Sequence, residues 1–205
     1  MKKSYSSQAM RTKSFLKKAF IQMVHKKGFR TVILKDIVEY VQYNRTTFYV
    51  YYQNIDDLVN ELMEEMDEAI RYYSMYKYKR NSRIKVSELT TSSFDLLFYI
   101  YDQRDYFKLL FLEDTLPHIH QQLPEALFHV LENNFDIQYN VPVVDDHFQK
   151  RYMAYGTAGV IVNWIAQDFN VSPSDMTKHL IRIFHTFARG FVIKENGNKF
   201  QGALD

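Results

Sequence analysis

Residues 37–58 read I-V-E-Y-V-Q-Y-N-R-T-T-F-Y-V-Y-Y-Q-N-I-D-D-L, and the reading of this stretch decides the fold. Leu34, Ile37, Val38 and Val41 recur at the spacing that lines one side of a short helix. Gln42-Tyr43-Asn44 is a turn, and Asn44 is the N-cap of the helix that follows, its side-chain oxygen suited to an orphan backbone N–H. Phe48 and Tyr52 are that helix's core positions. Upstream, Leu16, Ala19, Phe20, Met23 and Val24 follow helical spacing between Thr12, taken as an N-cap, and Lys27, with Gly28 closing the helix. Its other face carries Lys13, Lys17, Lys18 and Lys26. Three short helices so close together form a helix-turn-helix arrangement.

The helix opening Asn44-Arg45-Thr46-Thr47 presents one guanidinium and short hydroxyls at its N-terminal end, the end a recognition helix offers to base edges in the major groove. Arg45 is the candidate for a bidentate contact to guanine, and Thr46 for a base edge or a thymine methyl. Thr47, Tyr49 and Tyr51 are candidates for phosphate contacts that set register; the alternative for the two tyrosines is a place in the core. Lys35, Lys13 and Arg11 are phosphate candidates by charge and position, and equally solvated surface. Residues 1–54 hold eleven Lys and Arg against Asp36 and Glu39, a balance of +9, whereas the rest of the chain carries −7 within a total of +2. A cationic module of this kind attracts a polyanion, because each neutralised phosphate releases condensed counterions. A solvated basic tail is the alternative.

The chain has 205 residues and no cysteine, which excludes structural disulfides, thiolate zinc sites and thiol nucleophiles and suits a reducing cytoplasm. Nothing resembles a phosphate-cradling Gly-rich loop, H-E-x-x-H or G-x-S-x-G, so an enzyme is not expected, and neither is a cofactor. The N-terminus lacks the apolar stretch of a signal peptide and no run is long and apolar enough for a membrane span, so a cytoplasmic protein is expected. With four prolines and six glycines the chain reads as all-α. A connector helix is expected from about Asp56 to Tyr78, running into the basic stretch Lys77, Lys79, Arg80, Arg83, Lys85. Helical segments follow at about 86–101, 104–112 and 124–135. After a break at Asn140 to Val144, two long helices are expected at about 146–169 and 174–194, Pro173 suiting the start of the second. This makes an N-terminal helix-turn-helix domain over 1–54 and a helical dimerisation and effector-sensing domain over 55–205.

Ile37, Val38, Val41, Tyr43, Asn44, Thr47, Tyr49, Tyr51, Tyr52 and Leu58 resemble, in order and without a gap, the helix-turn-helix pattern of the TetR family of regulators. Arg45-Thr46-Thr47-Phe48-Tyr49 resembles the recognition helix of a subgroup found in Gram-positive bacteria. Three positions depart from the pattern. Gln42 stands where Gly is usual, which implies a left-handed backbone at that residue. Ile33 stands where Thr usually caps the second helix, and Ile55 where a Lys usually touches phosphate.

The resemblance implies a homodimer on a palindromic operator in double-stranded DNA, acting as a repressor released by a small-molecule inducer. The alternative is a co-activator or protein-sensing regulator of the same fold. It also implies pairing of the last two helices across a twofold axis, to which Ala154, Gly156, Ala158 and Gly159 on one and Leu180, Ile183, Phe184, Phe187 and Phe191 on the other are suited. An ordinary intrachain core is the alternative for each of them. The candidates for an inducer pocket are Phe107, Phe128, Tyr152, Tyr155, Asn163 and Trp164, a mixed aromatic and polar set, with Phe94 among the other aromatics of the middle helices. His118 and His120 lack a third ligand, so no metal site is expected.

Overall fold

The computed structural model describes residues 7–142 and 145–195. The described residues divide into two compact units, one within 1–66 with 105–119 and the other within 67–104 with 120–205.

In the first unit, α1 (Ser7–Lys27), α2 (Leu34–Tyr40) and α3 (Arg45–Tyr51) are followed by the start of α4 (Ile55–Met75). α1 begins earlier than its apolar spacing indicates. Thr12 lies inside the helix rather than at its cap, and its hydroxyl donates back to the Gln8 carbonyl at 3.0 Å. Gly28 does close it, with φ of 81° and its N–H bonded to the Val24 carbonyl. Leu16, Ala19, Phe20, Val24, Ile37, Phe48 and Leu58 are fully buried, so the apolar faces of all four helices meet in one small core.

The second unit departs most from the helical expectation. It remains mostly helical, with α5 (Asp95–Asp102), α7 (Ile119–Asn134), α8 (Asp146–Ala166) and α9 (Pro173–Phe187), while the short α6 (Arg104–Phe107) leads into the returning segment of the first unit. It also contains a three-stranded antiparallel sheet of β1 (Arg83–Lys85), β2 (Phe135–Tyr139) and β3 (Ala188–Ile193), in the order β1-β3-β2. The basic stretch after α4 is therefore partly a strand, helix is absent from residues 86–94 apart from short 3-10 turns, and α9 stops at Phe187. Ile84 and Ile137 both face Phe191 in register, and these residues pack with Met75, Val130, Phe135 and Ile193. Phe191 is thus a sheet core residue rather than part of a helical stripe. β1 approaches β3 so closely at Gly190 that an added Cβ would stand 2.4 Å from the Ile84 carbonyl oxygen. Among the described residues, no helix is long and apolar enough to cross a membrane.

Candidate nucleic-acid interface

α2, the turn and α3 stand on local hydrogen bonds. The Asn44 Oδ1 accepts from the Thr47 N–H at 2.7 Å and from the Thr47 hydroxyl at 2.9 Å, so Asn44 caps α3 and ties down Thr47. Gln42 has φ of 57°, in the left-handed region that glycine enters without penalty. Its N–H reaches the Glu39 carbonyl at 3.2 Å while Tyr43 donates to the Val38 carbonyl at 2.8 Å. Holding a non-glycine residue there costs about 1–2 kcal/mol, part of which glycine's extra freedom in the unfolded chain returns. Gln42→Gly is therefore expected to stabilise the first unit by about 0.5–1 kcal/mol in urea denaturation. Destabilisation by the same amount would show that the Gln42 side chain makes a compensating contact.

At the other two departures the helix starts are still capped. Where Ile33 cannot cap α2, the Asp36 carboxylate accepts the Ile33 N–H at 2.8 Å. The Lys27 ammonium, 2.5 Å from it, lowers the Asp36 pKa below the usual carboxylate range. Ahead of Ile55, Asn54 accepts the Asp57 N–H at 2.9 Å and Asp57 accepts the Gln53 N–H at 2.9 Å, a reciprocal cap that starts α4 without a lysine.

Phe48 is buried and Tyr52 is 3% exposed, whereas Tyr49 is 58% exposed, so the aromatic run divides between core and surface. Arg45, Thr46 and Tyr49 share the exposed side of α3, Thr47 and Tyr51 are half-buried, and Asn44 is exposed at its cap. Lys35 is exposed and lies 3.6 Å from Glu39, one helical turn on. The charge of the unit is less available than its total suggests. Lys13 and Lys17, on the basic face of α1, are 6% and 7% exposed and bound to acids of α4. Lys13 pairs with Glu61, Lys17 lies 2.5 Å from both Glu61 and Glu65, and the Tyr52 hydroxyl donates to Glu61 at 3.1 Å. Lys13 is thus a buried partner of α4 and not a phosphate contact. Lys2 and Lys3 lie outside the described residues.

The second unit encloses an apolar cavity of about 110 Å³, walled by parts of α4, α5, α7, α8, α9 and the sheet. Its polar groups are the hydroxyls of Tyr73, Ser74, Tyr78 and Thr157 and the side chain of Ser93, and no charged residue lines it. Three of these side chains are already bonded: Tyr78 donates to the Ser93 carbonyl at 2.8 Å, Ser74 donates to the Ile70 carbonyl at 2.7 Å, and the Ser93 hydroxyl oxygen accepts the Thr90 N–H at 2.8 Å.

Residues 87–186 match the TetR-type family described as a transcriptional regulator C-terminal region. An uncharacterised HTH-type transcriptional regulator of Bacillus subtilis, YxbF, is 17% identical over 163 residues, 80% of this chain; the alignment spans 42% of that longer relative. Among solved structures, a TetR transcriptional regulator from Streptococcus agalactiae superposes with a TM-score of 0.57 at 19% identity, covering 86% of this chain and 94% of that one. The dihydroxyacetone kinase operon activator DhaS superposes with a TM-score of 0.56 at 18% identity, covering 86% and 95%. By its fold, and over residues 87–186 by sequence, the chain is similar to TetR-type transcriptional regulators.

None of the six residues expected to line an inducer pocket is on the cavity wall. Phe107 is buried in the first unit, edge-on to Tyr106. Trp164 is fully buried with its indole N–H donating to the Val171 carbonyl at 2.9 Å. Phe128 is buried under the Arg151 guanidinium, 4.0 Å from its ring centre. Tyr152 and Tyr155 are 64% and 42% exposed, and Asn163 faces solvent. The wall is instead aliphatic and aromatic, and includes Phe94, Leu180, Phe184 and Phe191. Sequence spacing marked these residues as apolar, but the strand that turns Phe191 inward decides what they enclose. The outward side of α8 carries Phe148, Tyr152, Tyr155, Gly156, Gly159 and Asn163, one helical stripe. An added Cβ at Gly156 or Gly159 would meet nothing within 4 Å. Ala154 and Ala158 are buried within the chain and are not on this stripe.

Proposed function

We propose that this chain is a homodimeric TetR-type repressor that reads a palindromic operator through α3 and is released by a small-molecule inducer held in the apolar cavity of the second unit. The observation that carries the reading is the exposed N-terminal end of α3, where Arg45, Thr46 and Tyr49 face solvent while Phe48 and Tyr52 anchor the helix. Arg45 is assigned the base contact, Thr46 a base edge, and Thr47, Tyr49, Tyr51, Lys35 and Asn44 the backbone of the duplex. The outward stripe of α8, with α9, is assigned the twofold contact, in which Gly156 and Gly159 permit close approach of the partner helix. A twofold dimer then presents its recognition helices one or more DNA turns apart, about 34 Å per turn.

Mobility shift on the DNA upstream of the chain's own gene, across a salt series, tests this. Wild type is expected to shift a discrete fragment, with affinity falling steeply as salt rises. Arg45→Ala is expected to lose about 10–100-fold in affinity for that fragment, the value of one bidentate base contact, and much less on random DNA. Equal losses on both DNAs would make Arg45 a phosphate contact. A second reading is favoured by Ile55 at the head of α4 and by the burial of Lys13 and Lys17, which reduce the charge facing a duplex. On that reading the chain is a co-activator or protein-sensing regulator, and the outcome that selects it is binding no tighter to any tested sequence than to random DNA.

A further inference from the structure

The outer face of the sheet carries a cleft of about 730 Å³ that neither α3 nor the apolar cavity uses. Arg83 and Lys85 stand two residues apart on β1, so both project from one side of the strand while Ile84 between them packs inward. The last turn of α9 adds His185, and the start of β3 adds Arg189. Among the described residues, no carboxylate lines this cleft. Lys85 meets Glu88 at 3.2 Å, whereas Arg83 and Arg189 have no carboxylate partner among the described residues. Neighbouring polar groups are engaged elsewhere: the Tyr139 hydroxyl donates to Asp146 at 2.8 Å, and the Asn140 amide donates to the His185 carbonyl at 2.8 Å. They shape the cleft, in which the cations are the charged recognition groups.

Ala188 lines both this cleft and the apolar cavity. The cavity holds no charged residue to pair with an ionic ligand, and an unpaired charge in such a place is too costly to bury. Its volume suits a group of about six carbons. The cleft offers the reverse chemistry, with two guanidiniums on its wall, each of a kind that grips a carboxylate or phosphate through paired N–H donors. Resting on the cavity as the effector site, we propose that the Arg83, Lys85, Arg189 cleft binds the anionic head, carboxylate or phosphate, of an amphiphile whose apolar part enters the cavity beside Ala188.

Isothermal titration of the full chain with octanoate, octyl phosphate, 1-octanol and inorganic phosphate tests the assignment, using wild type, Arg83→Ala/Arg189→Ala and the charge-keeping Arg83→Lys/Arg189→Lys. At least one of the two anionic amphiphiles is expected to bind wild type at least tenfold more tightly than the alanine variant, the lysine variant falling between. The affinity of 1-octanol is expected to change less than twofold, and the tighter of the two amphiphiles identifies the head group. Anionic amphiphiles that bind both proteins equally, or no tighter than 1-octanol, overturn the cleft while leaving the cavity reading standing. Arginine-dependent binding of inorganic phosphate without binding of either amphiphile makes the cleft a separate anion site and overturns the linkage. If neither 1-octanol nor the amphiphiles bind, the cavity reading fails and the proposal falls with it.

Discussion

Glu61→Ala is expected to destabilise the first unit by about 3 kcal/mol, the lower end of the cost of removing one member of a buried ion pair. Glu61 answers two lysines that α1 buries at 6% and 7% exposure, and it accepts the Tyr52 hydroxyl at the end of α3. Its removal leaves Lys13 without this acid and Lys17 with Glu65 alone, whose side chain is half exposed. The partial exposure of Glu61 itself, 29% of its side chain, keeps the expected cost at the lower end. Urea denaturation with hydrogen exchange read along α1 measures it, and a loss below about 0.5 kcal/mol would show that the two ammonium groups reach water unaided. The pH dependence has a definite sign. Burial acts to raise the Glu61 pKa, but the hydrogen bonds from Lys13 and Lys17 outweigh it and hold the carboxylate below the ordinary glutamate range. The stability it supplies is therefore complete above the unfolded glutamate pKa of about 4.3 and is lost as pH falls through the lower folded value. Wild type and Glu61→Ala should converge in stability on that acid limb.

Trp164→Ala is expected to cost the second unit about 3–5 kcal/mol, the usual price of emptying a buried tryptophan site. Trp164 is fully buried, its ring meets Phe169 edge-on at 4.8 Å, and its indole donates to the Val171 carbonyl. Between them Asp168 and Phe169 both adopt the left-handed region, at φ 54° and 57°, which a phenylalanine enters only under constraint. The tryptophan thereby holds the turn from α8 to α9 in a conformation that the local sequence disfavours. Trp164→Phe should retain much of the packing and lose about 1–3 kcal/mol through the orphaned Val171 carbonyl and the smaller ring. Denaturation of both variants separates this role from ligand contact. Unchanged stability with a lost response to an apolar ligand would return Trp164 to the pocket.

What was legible in the sequence lies within a few residues of its cause. Helical spacing of apolar residues, the Asn44 cap, the glycine stop at residue 28 and the left-handed turn at Gln42 all depend on contacts three to five positions apart, and all are present in the fold. The division of Phe48 and Tyr52 from Tyr49 follows from the same periodicity. The sheet was not legible because its pairing is remote: Arg83 meets Val192, and Phe135 meets Ile193. Phe-Asp-Ile-Gln-Tyr at 135–139 does alternate with a period of two, and Gly190-Phe-Val-Ile has strand composition, but each is short enough to read as the end of a neighbouring helix. Only the assembled sheet turned Phe191 inward, walled the cavity with it and brought Arg83 and Arg189 to one cleft. Likewise, helix periodicity placed Lys13 and Lys17 on one polar face, and nothing local distinguishes a lysine that meets phosphate from one that meets Glu61, forty-eight residues away. The sequence by itself determined the helix-turn-helix and its presented residues, because those rest on local geometry. Tertiary structure alone decided which charges are buried and which apolar residues enclose space, because burial is a property of what packs on the other side.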